Sequence, residues 1–473
     1  MSKPKLLLMY GGRSGEHEVS LASAASVLKA LDKQLYQITC LAGDKSGNWF
    51  ITPAEDFIEQ GIQTSLPIKT QASKQISLST ELFNDIYVVL PIMHGPLFED
   101  GCLQGLLELS NVAYMGSDPL SSAIAMDKVI TKLLVSNAGI DIAPFKVIHT
   151  GNDLKTRENI CQQAVEQFGF PLFVKPACLG SSVGIHRVCS EKDLQTAVQD
   201  AFCYDHKILI EKYVPGREIE LAVLKQKHEI TVSLAGEIRM AHKDDFYSYD
   251  AKYQNETAAQ LIFPAELSPS ALTDLQAAAK TVFQTVGCEG LARVDFFLTE
   301  DNHIILNEIN TLPGFTQISM YPKLWQISGI DYTELLTKLI HQARWRFDFN
   351  REKVRDFFLI HNNDNPSTWA SQIVLSFLDE EEKHADLLNE MAAFSGFYAS
   401  SANISFDFSE DAPLKSTSLG IVIANFDIQN EYLGEPIKKK LTDRWSGSPL
   451  ETSINARMSR ISFGQSVEGD SCA

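Results

Sequence analysis

The chain has 473 residues, enough for about three or four domains at roughly 100–200 residues each. With 44% hydrophobic and 21% charged residues it has the composition of a soluble globular protein, and no stretch approaches the roughly 18 apolar residues of a membrane helix. A formal net charge of −19 argues against a nucleic-acid partner, which needs a basic surface, although a few local lysines can still hold one nucleotide.

The eight cysteines are scattered without a Cys-x-x-Cys pair, so reduced thiols and a cytoplasmic setting are expected. Leu6 to Met9 is too short for a signal-peptide core. Lys5 to Tyr10 is an apolar run that stops at Gly11-Gly12 and reads as a buried parallel strand. From Glu18 onward Val19, Ala22, Ala25, Val27, Leu28 and Leu31 recur at helical spacing. Strand, glycine turn and helix make a nucleotide-fold-like opening. Asp85 to Pro91 is a second such strand, followed by His94-Gly95 and a helix from about Gln104. These elements place an N-terminal α/β substrate domain at 1–122.

Met126 to Asn137 is expected to be helical, and Pro171 to Pro176 and Lys207 to Val214 to be strands. The second strand closes at Pro215-Gly216, and Glu218 to Leu224 resumes as a strand. A central domain is therefore placed at 123–214 and a third at 215–345. Beyond Arg346 the chain changes character. Trp369 to Met391 reads as a helix, and Ile404 to Phe408 and Gly420 to Phe426 as strands, giving an extra α+β unit at 346–445. The Ser/Gly-rich stretch 446–473 is expected to be a disordered tail.

The strongest chemical signal is Arg293-Val-Asp295 followed by Glu308-Ile-Asn310, with the turn cluster Glu300-Asp-Asn-His303 between them. A two-residue loop at Asp301-Asn302 pairs Asp295 with Glu308 and Arg293 with Asn310, and puts all four side chains on one face. Two opposed carboxylates repel, which raises the pKa of one of them unless a cation intervenes. Carboxylate and amide oxygens without His or Cys suit Mg²⁺. The alternative is a solvated hairpin face with a cross-strand salt bridge; the apolar neighbours Val294, Phe296, Ile304, Ile305 and Ile309 favour a buried setting.

Four weaker signals accompany it. Lys175 ends a strand before the small-residue loop Gly180-Ser181-Ser182-Val-Gly184, where backbone N–H groups can approach phosphate, though a plain hairpin turn fits equally. Gly11 to Ser20, with Glu16 and Glu18, lacks a dinucleotide fingerprint and can be a simple strand-to-helix turn. His94 lies past a strand end, where ligands gather in open α/β domains. Lys243 to Tyr253 carries three Tyr and reads as a loop able to close over a site.

Taken in order, these motifs resemble the D-alanine–D-alanine ligase family from about residue 5 to about residue 345. The telling pieces are Gly-Glu16-His-Glu-Val-Ser-Leu, His94-Gly-x-x-x-Glu99-Asp-Gly, Met126-Asp-Lys128, Val-Lys175-Pro, Gly180-Ser-Ser-Val-Gly, Tyr249-Asp-Ala-Lys-Tyr253, Arg293-x-Asp295 and Asn307-Glu-Ile-Asn-Thr-Leu-Pro-Gly-Phe315. The resemblance implies an α/β ATP-grasp fold with an N-terminal Rossmann-like domain. It further implies ATP-dependent joining of two D-alanine molecules through an acyl phosphate, for peptidoglycan precursors.

The same resemblance assigns roles. Lys128 and Lys175 would hold ATP phosphates under the Ser181–Ser182 loop. Glu211, Lys212, Tyr213 and Val214 would meet adenine, and Glu218 the ribose. Asp295, Glu308 and Asn310 would bind two Mg²⁺ or Mn²⁺ ions. Glu16 would face the ammonium of the first D-alanine, with His94 nearby. Arg293 and the Gly314 N–H would stabilise the oxyanion, and Ser319 and Met320 would receive the second carboxylate. Tyr253 would close the site with Ser181 and Glu16, and Lys252 would approach the γ-phosphate. A homodimer is expected.

Two departures and two alternative readings stand beside the resemblance. Phe98 stands where the family more often has a small residue. D-lactate or D-serine could replace D-alanine as acceptor, although Tyr253 favours D-alanine. An ATP-binding protein without ligase activity would lack metal or phosphate ligands, and none is missing here. Residues 346–473 match nothing in the family, and a docking or oligomerisation role is expected for them.

Overall fold

Apolar residues fill both faces of Lys5–Gly11 (β1), which makes it a central strand. Leu6, Leu8 and Tyr10 point into one core and Leu7 and Met9 into another. In the computed structural model, which describes residues 3–69, 74–240, 259–351, 358–361, 369–376, 403–406 and 421–427, the chain divides into two units, Met1–Asp348 and Phe349–Ala473.

In the first unit β1 leads through Gly11-Gly12 into His17–Ala30 (α1). Then follow Gln37–Gly43 (β2), Trp49–Pro53 (β3), Glu55–Ile58 (α2), Lys74–Ile76 (β4), Val88–Ile92 (β5) and Cys102–Leu109 (α3). The sheet runs β4-β3-β2-β1-β5, with β1 parallel to both β2 and β5. The strand of the Asp85–Pro91 segment starts three residues later than expected, at Val88.

Where one helix was expected over Met126 to Asn137, there are two, Pro119–Met126 (α4) and Lys128–Asn137 (α5). Asp127 is extended (φ −85°, ψ 99°) and its carboxylate caps the N–H groups of Val129 and Ile130, so the break is a capping event. Next come Phe145–His149 (β6), Leu154–Phe168 (α6), Leu172–Pro176 (β7), His186–Val188 (β8), Glu191–Ala201 (α7) and Lys207–Lys212 (β9). Their sheet, β6-β9-β7-β8, packs Leu172, Val174, Ile208 and Ile210 under α6 and α7. Its other face carries Phe173, Lys175, Leu209 and Glu211, by the two-residue alternation of strands.

Arg217–Gln226 (β10), Glu229–Met240 (β11) and Ala259–Ile262 (β12) precede Pro269–Val286 (α8), Leu291–Leu298 (β13) and Ile304–Asn310 (β14). The order is β12-β11-β10-β13-β14, so β14 is an edge. Ile219, Leu221, Val223, Val294 and Phe296 face α8, while Glu220, Arg293 and Asp295 face the other way. Met320–Ile327 (α9) and Tyr332–Arg351 (α10), whose last three residues fall in the second unit, follow, and apolar side chains of both helices join the same core as α1. Among the described residues no helix is long and apolar enough to cross a membrane.

In the second unit Phe358–His361 (β15), Trp369–Ser376 (β16), Asn403–Phe406 (β17) and Ile421–Asp427 (β18) form an antiparallel sheet ordered β15-β16-β18-β17. The helix expected from Trp369 to Met391 is corrected here: residues 369–376 are a strand paired on both sides. Ile373-Val374-Leu375 is a short apolar run whose periodicity cannot separate helix from strand, and β-branched residues fit the pairing. The rest of that segment and the 446–473 tail lie outside the described residues.

Phe283 is fully buried on α8 between the helix and the sheet that carries Arg293 and Asp295. Phe283→Ala is expected to cost about 3–5 kcal/mol of stability, measured as a shifted urea midpoint with unchanged slope.

Candidate active site

The β13–β14 hairpin pairs Arg293 with Asn310 and Asp295 with Glu308, as the two-residue loop predicted. The loop itself is different. Thr299 and His303 close three residues, Glu300, Asp301 and Asn302, with Asn302 left-handed at φ 63°. A bulge then restores the register. Phe296 pairs with Leu306 while Asp295 pairs with Glu308, so Asn307 is the extra residue. Its effect is a change of phase: Leu306 points into the core under α8, yet Glu308, only two residues on, points to the opposite face beside Asp295.

Arg293 holds Asp295 with two hydrogen bonds, Nε to Oδ1 at 2.8 Å and Nη2 to Oδ2 at 2.7 Å. Its Nε is also 3.1 Å from Glu220 Oε2. Burial alone would lower the guanidinium pKa, but Asp295 and Glu220 lift it well above its ordinary value, so it stays charged. Asn310 donates Nδ2–H to Asp295 Oδ2 at 3.0 Å. Glu308 Oε2 lies 3.2 Å from Lys128 Nζ.

Lys128 is the first residue of α5, anchored by the Asp127 cap, and it also donates to the Leu179 carbonyl at 2.7 Å. Lys175 at the end of β7 reaches Glu211 Oε2 at 2.5 Å and Asn307 Oδ1 at 3.4 Å. The second Glu211 oxygen, Oε1, is ion-paired with Lys132 Nζ at 2.6 Å. Burial by itself would raise the Glu211 pKa, but Lys132 and Lys175 outweigh it and hold the carboxyl at about 2. The Glu211 side chain is thus an ionic post between two lysines. Beyond β9, Tyr213 sits 6.0 Å from the Phe173 ring, with the Arg187 guanidinium 5.7 Å from its own. Lys212 is exposed at the strand end, Val214 follows in the turn, and Glu218 lies early on β10.

Ser181 and Ser182 are both left-handed, at φ 51° and 58°, in the loop after β7, a conformation that costs on the order of 1–3 kcal/mol per non-glycine residue. Ser181 Oγ donates to Glu16 Oε1, which ties this loop to the start of α1. The Glu16 carboxylate fits because Gly95 lacks a side chain: a Cβ there would come within 2.8 Å of Oε2, whereas one at Gly180 would touch it at an ordinary 3.4 Å. Burial would lower the His94 pKa, but Glu99 and Glu16 overcome it and raise it. His94 Nδ1 contacts the Leu312 carbonyl at 3.0 Å and Glu99 Oε1 at 3.5 Å, and Nε2 is 3.3 Å from Ser23 Oγ. Phe98 packs its ring against Gly12 and Met93, so it shapes the glycine turn from within the core.

Gly314 needs its missing side chain too, since a Cβ would approach Ser319 Oγ to 2.8 Å. Ser319 precedes α9 and its Oγ accepts from the Thr316 N–H at 3.0 Å. Met320 is the first residue of α9 with its side chain in the core against Gly236, which leaves only its backbone for a ligand. Lys252 and Tyr253 lie outside the described residues.

Sequence reasoning missed Lys132, Asn307 and Glu220. Lys132 had a signal, being four residues after Lys128 on one helix face. Glu220 alternates with Glu218 on one strand face. The bulge at Asn307 had none. The donors fit Mg²⁺: two carboxylates and an amide, all oxygen, with no His or Cys among them.

Two sheets that face each other across lysines on one side and acids on the other are the ATP-grasp arrangement, used by ligases that activate a carboxylate with ATP and pass it to a nucleophile. Residues 5–117 match the family described as D-ala D-ala ligase N-terminus, and 134–341 that described as D-ala D-ala ligase C-terminus. A D-alanine--D-alanine ligase of Legionella pneumophila is 48% identical over 351 residues, covering 72% of this chain and 96% of the relative. D-alanine--D-alanine ligase A of Escherichia coli is 44% identical over 357 residues with the same coverage. Among solved structures, the D-alanine-D-alanine ligase of Coxiella burnetii aligns with TM-score 0.64 and 32% identity over 74% of this chain and 97% of its own. The VanG D-Ala:D-Ser ligase of Enterococcus faecalis aligns with TM-score 0.64 and 30% identity over 72% and 100%. The chain belongs to the D-alanine–D-alanine ligase family and catalyses ATP-dependent ligation of D-alanine to D-alanine for peptidoglycan synthesis.

Glu211 also sets a pH signature. Its folded pKa of about 2 lies below the ordinary 4.5, so its contribution to stability is full above about pH 4.5 and is lost as pH falls through about 2. Glu211→Gln should therefore flatten the acid side of the stability curve between pH 5 and pH 3, read as melting temperature against pH; parallel curves would contradict the assignment.

Proposed function

We propose that ligation runs through an acyl phosphate held between the two sheets. Lys128 and Lys175 bind the ATP phosphates beneath Ser181 and Ser182. Glu211, Lys212, Tyr213 and Val214 meet the adenine and Glu218 the ribose. Asp295, Glu308 and Asn310 hold two Mg²⁺ (or Mn²⁺) ions, which, when bound, neutralise phosphate charge. The single observation that carries this reading is the bulged hairpin, which sets Glu308 beside Asp295 and against Lys128.

The carboxylate oxygen of the first D-alanine attacks the γ-phosphorus and ADP leaves. The deprotonated amine of the second D-alanine then adds to the acyl carbon, and the tetrahedral oxyanion collapses as phosphate departs. Glu16 faces the first ammonium, beside His94. Arg293 and the Gly314 N–H receive the oxyanion. Ser319 and the Met320 N–H, at the N-terminus of α9, receive the second carboxylate. Lys252 and Tyr253 are assigned to closing the site over the γ-phosphate, excluding water that would hydrolyse the acyl phosphate.

A cytoplasmic setting and a homodimer belong to the same proposal. Glu308→Gln should lower kcat about 100-fold or more, since a metal ligand supports several kcal/mol of charge neutralisation. The check is phosphate release from ATP with D-alanine, with L-alanine and with neither; release independent of D-alanine would sink the reading. Offered D-alanine and D-lactate together at neutral pH, the enzyme should form dipeptide, and predominant depsipeptide would reverse the acceptor assignment.

The matched region ends at residue 341, so we also propose a docking or oligomerisation role for 346–473. Deleting 352–473 should preserve turnover and change the multiplicity of subunits in solution mass measurements; unchanged turnover and multiplicity together would remove the proposal.

A further inference from the structure

Lys132 is a buried cation that the reaction as described leaves without a task. Its side chain is 2% exposed. Nζ lies 2.6 Å from Glu211 Oε1 and 3.3 Å from the Leu306 carbonyl, on the outer edge of β14 next to the bulge. Glu211 continues to Lys175 at 2.5 Å, and Lys175 to Asn307 Oδ1 at 3.4 Å. The path is a closed ring from the bulge through Lys132, Glu211 and Lys175 back to the bulge.

The charges in this ring matter. Lys132 and Lys175 against Glu211 leave one positive charge over. Lys132 is shut away from the cleft, so the surplus is presented by Lys175. Without Lys132 the buried carboxylate would have one cation, and its whole charge would be met by Lys175, which already lies 2.5 Å away. We propose that Lys132 is a positioning residue for ATP: by engaging Glu211 it leaves the Lys175 ammonium available to the nucleotide phosphates, and through Leu306 it fixes that ammonium relative to the acidic hairpin. The inference rests on the assignment of Lys175 to ATP.

The test is steady-state kinetics of the full chain. Lys132→Met should raise KM for ATP about tenfold, the loss of one charge-assisted contact, while KM for D-alanine stays within about twofold. Lys132→Arg, which keeps the charge, should recover most of the ATP affinity. Pairing Lys132→Met with Glu211→Gln removes one charge of each sign and keeps the net charge of the ring, carried by Lys175, so it remains informative if the single variant does not fold. Because Lys132 acts through the charge of Glu211, removing it in the Glu211→Gln background should not raise KM for ATP further. A further tenfold rise there, or an unchanged KM in a folded Lys132→Met enzyme, overturns the inference. Lys175→Met separates the two readings: no effect on KM for ATP refutes the Lys175 assignment, whereas a large effect beside a silent Lys132→Met refutes only the role of Lys132.

Discussion

One extra residue on an edge strand governs this site. If the strand ran through Asn307 without a bulge, alternation would put Glu308 on the side of Leu306, into the core under α8, because the two are separated by two positions. The bulge lets Ile304 and Leu306 stay in apolar surroundings while Glu308 and Asn310 turn to the cleft. It also supplies the Asn307 amide to Lys175, and the adjoining Leu306 carbonyl to Lys132. The two sheets therefore meet at the irregular point of the hairpin.

Charge balance explains how so acidic and basic a cleft can stay folded before substrates arrive. Glu308 is matched by Lys128, Asp295 and Glu220 by Arg293, and Glu211 by Lys132 and Lys175. An unmatched buried charge would cost several kcal/mol. Lys128, Lys175, Asp295 and Glu308 among these partners are the groups assigned to phosphate and metal, so ligand binding exchanges one set of ion pairs for another.

A third element of order comes from the junction between the N-terminal domain and the loop after β14. His94 holds the Leu312 carbonyl, and Ser23 Oγ accepts the Phe315 N–H at 3.2 Å. Gly314 lies between these two anchors. The same core contains α1 and the apolar faces of α9 and α10, so Glu16 at the start of α1 and the N-terminus of α9 are built on one packed body. Ser181, donating to Glu16, brings the glycine–serine loop to that body.

Local chemistry was legible in the residues themselves: an apolar run ending at Gly11-Gly12 located β1, one between Pro171 and Pro176 located β7, and the Arg-x-Asp and Glu-x-Asn spacing located the acidic face. These features depend on periodicity and turn residues, which are properties of neighbours in the chain. The pairing of Asp295 with Glu308 was foreseen with the wrong loop, because a three-residue turn plus a bulge shifts register by the same amount as a two-residue turn. Only the tertiary structure could place Lys132 against Glu211, since their contact joins a helix to a strand 79 positions later. Only it could show that Trp369–Ser376 is a strand, because that choice is made by pairing with distant segments. Sequence determined which groups the cleft contains; packing decided which of them face one another.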